Sequence, residues 1–376
     1  MKKESLNFYV AILILVAVIF SFLTLYAFGD YRGSKISVSG RSAALYQPET
    51  NNFLYLKNAD EKLPMASTTK IMTALIALER CNLDDTVAIH DNAIGTEGSS
   101  AYLKSGEILT IDELVHAVLL QSANDAAVAL AYHISGSVED FANEMNTYAE
   151  DIGLKNTHFV NPHGLDDENH YTTAADLAIL TAHALKNENF KKTVSTYKAS
   201  FTNGERVRNY VNHNKLLKLY DGCIGVKTGY TKRSGRCLVA AAERDGLTFI
   251  SVTLDAPSDW QDHRVMLDYG FDTLQKLVLT EAYHYNYTLP VIGGEKDSIQ
   301  VTNTQVATII TDKGTQTPEE HTRLNRYVIA PINKGDRLGE IIYTINGKEV
   351  ARVELIATES IKTKQSIIKK ILSIFD

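Results

Sequence analysis

A serine and a lysine one helical turn apart, Ser67 and Lys70, stand at the head of an apolar run from Ile71 to Leu78. The polar stretch before them is broken by Pro64, which predicts a loop running into a helix start. Ile71, Met72, Ala74, Leu75, Ile76 and Leu78 cover most of the circumference, so the helix should be buried. Residues three apart share a helix face, which puts the Lys70 ammonium beside the Ser67 hydroxyl. Partial desolvation lowers a lysine's pKa and lets it act as a base toward the serine. Unpaired N–H groups at the helix start can receive a developing oxyanion. The same residue types also make ordinary helix caps, and Ser195/Lys198 and Ser366/Lys369 repeat the spacing. The pair alone is therefore a weak signal.

Two further groups carry chemistry. Ser122 and Asn124 fall between an apolar helix that begins at the capping box Thr110-Ile111-Asp112-Glu113 and a second apolar helix, Ala126 to Ile134. Polar groups on a tight connection between buried helices need partners, and capping the second helix is the ordinary alternative. Lys227-Thr228-Gly229 ends a strand-like run from Ile224. A lysine, a hydroxyl and a bare backbone on an edge strand make a carboxylate receptor, the glycine admitting a substrate backbone. His158 and His163 share a loop with Asn161, Pro162 and Gly164, but their spacing fits no zinc pattern. No metal or other cofactor is expected.

The elements around these residues read in order. Ser42 to Tyr46 and Phe53 to Lys57 alternate as a hairpin. Helices follow through Thr196, one of them, Val138 to Ile152, closed by Gly153. Strand patterns return after Tyr197, with a hairpin of Cys237 to Ala242 and Leu247 to Leu254. Ser258 to Leu279 reads as a helix. Strands, a helical middle, then strands again predict one α/β domain whose terminal strands pair in an antiparallel sheet. Short alternating strands after Thr280 predict a small all-β domain.

The chain has 376 residues with a formal net charge of -7, and no basic patch interleaved with aromatics, which argues against a nucleic-acid partner. Three cysteines, Cys81, Cys223 and Cys237, make no disulfide framework. Lys2 and Lys3 precede an apolar run from Phe8 to Phe28, about 20 residues and long enough to span a bilayer. Its lysines place that end in the cytoplasm and everything after Asp30 outside. An uncleaved anchor is favoured over a cleaved signal. At the other end, isoleucines from Ile361 to Ile374 against Lys362, Lys364, Lys369 and Lys370 predict a basic amphipathic helix for an anionic membrane surface. The domains expected are thus an anchor or signal at 1–30, a catalytic domain at 31–280, a β-domain at 281–357 and a membrane-surface helix at 358–376.

Ser67-x-x-Lys70, Ser122-x-Asn124 and Lys227-Thr228-Gly229, in that order, resemble the penicillin-interacting serine enzymes. The surroundings Ala66 to Thr73, Ser122 to Ala127, Asn161 to Leu165 and Gly225 to Thr231 look like the D-alanyl-D-alanine carboxypeptidases among low-molecular-mass penicillin-binding proteins. The resemblance runs from about Ser42 to Ile356. It implies the penicillin-binding, serine β-lactamase-like α/β fold, an antiparallel sheet with a helical subdomain, followed by the β-domain. It implies that Ser67 attacks the carbonyl between the last two D-alanines of a peptidoglycan stem peptide, that Lys70 takes its proton, and that Ser122 relays a proton to the leaving group. Asn124, Lys227, Thr228, Gly229 and Tyr230 would bind the substrate, with the backbone N–H groups of Ser67 and Tyr230 as oxyanion hole. β-Lactams would acylate Ser67. The family also has an arginine near the substrate carboxylate, for which Arg233, Arg236 and Arg264 are candidates. A β-lactamase needs a deacylating glutamate that no motif here supplies, and a non-catalytic wall-binding protein does not need intact motifs. The N-terminal run is longer than the family's usual cleaved signal. Cys223 and Cys237 would be cross-strand neighbours if a hairpin turned near Tyr230, as a disulfide or as two inert thiols.

Overall fold

The structure is a computed structural model that describes residues 36–364 apart from Glu205. The apolar run at 8–28 and the part beyond Lys364 of the segment predicted from sequence as a membrane-surface helix lie outside the described residues. Among the described residues no helix is long and apolar enough to cross a membrane. The chain forms two compact units that divide between Phe271 and Asp272.

The first unit begins with the hairpin of β1 (Ser42–Gln47) and β2 (Asn52–Lys57), its turn made by Pro48 to Asn51. A 3-10 turn, Ala66–Thr69, runs straight into α1 (Lys70–Arg80). Every residue from Lys70 to Leu78 is buried. Its large side chains, Ile71, Met72, Leu75 and Ile76, are worth about 1.5–3 kcal/mol each on burial. Strands β3 (Thr86–Ala88) and β4 (Ile108–Thr110) pair as a short ribbon. They lead to α2 (Ile111–Leu119), capped by the Thr110 hydroxyl, which accepts from the Glu113 N–H at 3.1 Å. Next come α3 (Asn124–Ser135), α4 (Val138–Asp151), α5 (Ala174–Ala184) and α6 (Glu188–Ser195). Helix α1 packs against α2, α3 and α5, so the residues at its start are held from several sides.

A hairpin of β5 (Lys198–Asn203) and β6 (Arg206–Val211) and a single helical turn, α7 (Leu216–Leu219), precede β7 (Cys223–Thr231), β8 (Gly235–Arg244) and β9 (Leu247–Leu254). The five-stranded sheet has the order β2-β1-β9-β8-β7 and is antiparallel throughout. The first and last parts of the unit are thus knitted together, Leu45 lying opposite Ser251. Strand β7 forms an edge of the sheet.

Helix α8 (Asp259–Thr273) is shorter than its sequence pattern suggests. Leu274 to Thr280 is a strand, β10, paired with β13 (Ala307–Asp312). The spacing of Leu274, Leu277 and Val278 fits the end of a helix, and cross-strand pairing decides for a strand. The second unit adds β11 (Tyr287–Ile292), β12 (Ser298–Thr302), β14 (Glu319–Leu324), β15 (Val328–Ile329), β16 (Arg337–Ile345) and β17 (Lys348–Ala357). Its main sheet has the order β14-β16-β17-β12-β11-β15. Edge strand β14 is almost entirely exposed and carries no apolar alternation, so its sequence does not announce it. Leu289, Ile299, Val301, Ile341, Val353 and Leu355 form the core of this unit. Ile361, read from sequence as part of the C-terminal helix, is buried there instead and bridges Ile332.

Candidate active site

The 3-10 turn that carries Ser67 is tied down residue by residue. Ala66 has a left-handed backbone, φ 48°. The Thr68 hydroxyl donates to Met65 O at 2.6 Å and the Thr69 hydroxyl to Ala66 O at 2.8 Å. Because Thr69 has spent its hydrogen, His170 Nε2, 2.7 Å away, is the donor to Thr69 Oγ1, and His170 Nδ1 accepts from the Val160 N–H. Burial holds this imidazole neutral, with its pKa lowered to about 4. Gly164, φ 89°, lies so close beneath the turn that a Cβ there would fall 1.9 Å from Ala66 O.

Lys70 is fully buried and donates three hydrogen bonds. They go to Ser67 Oγ at 3.0 Å, Asn124 Oδ1 at 2.6 Å and His163 O at 2.6 Å. Desolvation pulls its pKa well below the ordinary lysine value, and the charge of Lys227 adds to this while Asp125 opposes it. The histidine loop thus contributes a backbone carbonyl to the lysine. No grouping of metal-ligating side chains occurs among the described residues.

Ser122 and Asn124 lie between α2 and α3. The cap residue of α3 is Ala123, which offers no side-chain acceptor, so neither neighbour is there to cap the helix. Ser122 is buried in a left-handed conformation, φ 61°, which an L residue adopts at a cost of roughly 1–2 kcal/mol. Asn124 bridges Lys70 to the segment before Ser99: its N–H donates to Ser99 O at 2.7 Å and its amide nitrogen to Glu97 O at 2.5 Å. Asp125, not singled out by sequence reasoning, clamps the same segment. Its buried carboxylate accepts from Ser100 Oγ, Ala101 N and Leu103 N at 2.7, 2.9 and 3.0 Å.

The third group reaches the others through β7. Lys227 is 1% exposed, and desolvation lowers its pKa to about 7. Gly229 does admit a close backbone, but the backbone is the chain's own. A Cβ there would lie 3.0 Å from Ser67 N and 3.1 Å from both Ala66 Cβ and Met65 O. Edge strand β7 is thereby laid against the Ser67 turn. Ser67, Ser122, Thr228, Gly229 and Tyr230 line one cleft of about 660 Å³ with Ser99, His213, Arg236, Asp259 and Trp260. Of the three candidate arginines, only Arg236 lines this cleft, opposite Tyr230 on β8 and with its Nε 3.1 Å from buried Asp259. A side chain that arrives from the neighbouring strand leaves no signal in local spacing.

Cys223 and Cys237 are free. The hairpin turns beyond Thr231 and not near Tyr230, so Cys237 lies opposite Gly229 and Cys223 opposite Ala242. Burial raises both thiols to about 11, which keeps them protonated.

The sequence model of the D-alanyl-D-alanine carboxypeptidase family matches residues 31–258, and that of the penicillin-binding protein 5 C-terminal domain matches residues 279–363. The chain belongs to the D-alanyl-D-alanine carboxypeptidase family. This carboxypeptidase is 34% identical to D-alanyl-D-alanine carboxypeptidase DacF of Bacillus subtilis (strain 168) over 88% of each chain. It is 30% identical to D-alanyl-D-alanine carboxypeptidase DacA of Haemophilus influenzae, over 90% of this chain and 91% of the relative. Among solved structures, penicillin binding protein 5 from Haemophilus influenzae is similar, with 30% identity, a TM-score of 0.65, and coverage of 88% of this chain and 99% of that one. The Streptomyces K15 DD-transpeptidase matches at 34% identity and a TM-score of 0.60, over 63% of this carboxypeptidase and 99% of its own chain.

Proposed function

We propose that the enzyme removes the C-terminal D-alanine from peptidoglycan stem pentapeptides through an acyl-enzyme on Ser67. The observation that carries this reading is the Lys70 ammonium, fully buried and 3.0 Å from Ser67 Oγ. In its neutral form Lys70 takes the Ser67 proton as Oγ bonds to the carbonyl carbon of the penultimate D-alanine. The backbone N–H groups of Ser67 and Tyr230 receive the oxyanion. Ser122 passes the proton on to the leaving nitrogen as the C–N bond breaks. Lys227 and Thr228 hold the terminal carboxylate, with Arg236 on the same side of the cleft. Asn124 holds both Lys70 and the acyl part of the substrate. Water then attacks the ester and regenerates Ser67. The unpaired side of β7 suits an extended peptide docking as an added strand.

The acylation half of this cycle is the same for a β-lactam, whose ring amide opens onto Ser67. It is also the same for a transpeptidase, which differs only in using an amine in place of water. The apolar N-terminal run and the basic C-terminal segment support anchoring at the extracytoplasmic face of a bacterial membrane.

The test is D-alanine release from a pentapeptide ending in D-Ala-D-Ala, with Ser67→Ala alongside. Release by the parent enzyme and loss of at least about 10³-fold in the variant is expected. Penicillin acylation without any D-alanine release would sink the carboxypeptidase reading.

A further inference from the structure

The mechanism leaves one titratable group of the cleft unused. His213 lines the cleft with Ser67 and Thr228, and its ring makes no hydrogen bond to protein among the described residues. The side chain is exposed to the cleft, while the backbone that carries it is fixed, because the residues on either side are buried and bonded. Asn212 donates through Nδ2 to Val194 O at 3.0 Å and Thr196 O at 3.2 Å, and accepts from the Asn214 N–H at 2.9 Å. Asn214 Oδ1 accepts from the Leu216 N–H at 3.0 Å. A ring on so rigid a loop, with free nitrogens, is built to meet something that enters the cleft.

We propose that His213 is a protonation-dependent specificity residue: as imidazolium it binds the free carboxylate of the incoming ligand, and as neutral imidazole it does not. The proposal rests on the serine-enzyme reading of the same cleft.

The charged groups that face the ring decide the sign. Lys227 on β7 is close enough for its charge to push proton loss from His213 to lower pH, in the same direction as burial. Arg236 on β8 is paired with Asp259 at the start of α8, so these two largely cancel. On the ring's own loop, Lys215 lies over the Trp260 ring at 6.0 Å. The one carboxylate lining the cleft, Asp259, is engaged by Arg236, so burial and Lys227 prevail and His213 is largely neutral at pH 7 in the unliganded enzyme. A ligand carboxylate supplies the missing negative charge and draws a proton onto the ring. Binding of such ligands should then strengthen as the pH falls below the ordinary histidine range.

The experiment uses the full chain and benzylpenicillin, whose carboxylate is free, with its methyl ester as the uncharged probe. The second-order rate of Ser67 acylation is followed from pH 5.5 to 8.5 for the parent, His213→Gln and His213→Arg. Protonation of Lys70 and Lys227 affects all three proteins, so ratios between them isolate position 213. The parent-to-Gln ratio with the acid should fall about fivefold between pH 5.5 and 8, the scale of one partly exposed charge-assisted hydrogen bond. The Arg-to-Gln ratio should stay elevated throughout, and the ester should show neither effect. A parent-to-Gln ratio that does not vary with pH would overturn the proposal, as would an ester that behaves like the acid. Absence of parent acylation by either probe would remove the serine-enzyme reading and this proposal together. Normal parent acylation with flat ratios would remove this proposal alone.

Discussion

At the scale of single residues, the proposed mechanism asks opposite tasks of two lysines that are buried under the same physics. Burial disfavours the ammonium form of each, and the charge of Lys227 further disfavours that of Lys70. Lys70 profits, because a base must lose its proton, and its pKa is pulled well below the usual lysine range. Lys227 loses, because a carboxylate receptor must keep its proton, and desolvation brings it to about 7. A lysine whose pKa is depressed is charged below the shifted value and neutral above it. The kcat/KM for D-Ala-D-Ala peptides, which reports the free enzyme, should therefore decline above about pH 7 as Lys227 discharges. Lys227→Arg should move that descending limb up by at least about two pH units, because guanidinium does not discharge in this range. A limb that stays in place in this variant would assign it to another group. Both lysines were legible in sequence from their motifs. Their burial was legible only for Lys70, which heads an apolar helix.

At the scale of elements, the site depends on β7 lying against the 3-10 turn. Gly229 sets that approach, since a Cβ would meet Ser67 N, Ala66 Cβ and Met65 O at 3.0–3.1 Å, and backbone atoms cannot swing aside. Gly229→Ala should cost about 1–3 kcal/mol in stability, as overpacking does. It should also slow β-lactam acylation by at least about tenfold, because it would displace the Tyr230 N–H that the proposed mechanism uses for the oxyanion. Thermal unfolding and the acylation rate check the two parts separately, and an unslowed acylation would show that the strand's position does not matter to the chemistry. Sequence reasoning marked Gly229 for the right property, a bare backbone. The approach of the Ser67 turn was not legible, because that partner lies far off in the chain and nothing local encodes it. Strand register picks Arg236 out of the three candidate arginines by setting it opposite Tyr230, and the role of the His163 carbonyl toward Lys70 shows only in the fold.

At the scale of the whole molecule, the chain carries two separate cores. One is built on α1 to α6 and the sheet, the other on Leu289, Ile299, Ile341 and Leu355. Units with their own cores are expected to unfold as separate cooperative units. Calorimetry should resolve two unfolding transitions, and acylation of Ser67 by a β-lactam should vanish with only one of them. A chain ending at Phe271 should keep an acylation rate within about twofold of the parent. A single transition that takes both units together, or loss of acylation on truncation, would contradict this.

The sequence by itself determined the reactive residue types, their order and the elements that bear them. Ser67 and Lys70 stand one turn apart, so local helical geometry alone sets them side by side. Periodicity marked the buried helices and most strands, because apolar burial imposes a repeat on every element that touches a core. What only the tertiary structure decided are relations between segments far apart in the chain. Lys70 meets Asn124 and the His163 carbonyl from 54 and 93 residues away in the chain. Residues 274–280 become a strand because β13 pairs with them. Cys237 faces Gly229 because the hairpin turns after Thr231. Such contacts are set by packing and strand register, which carry no fixed spacing in sequence.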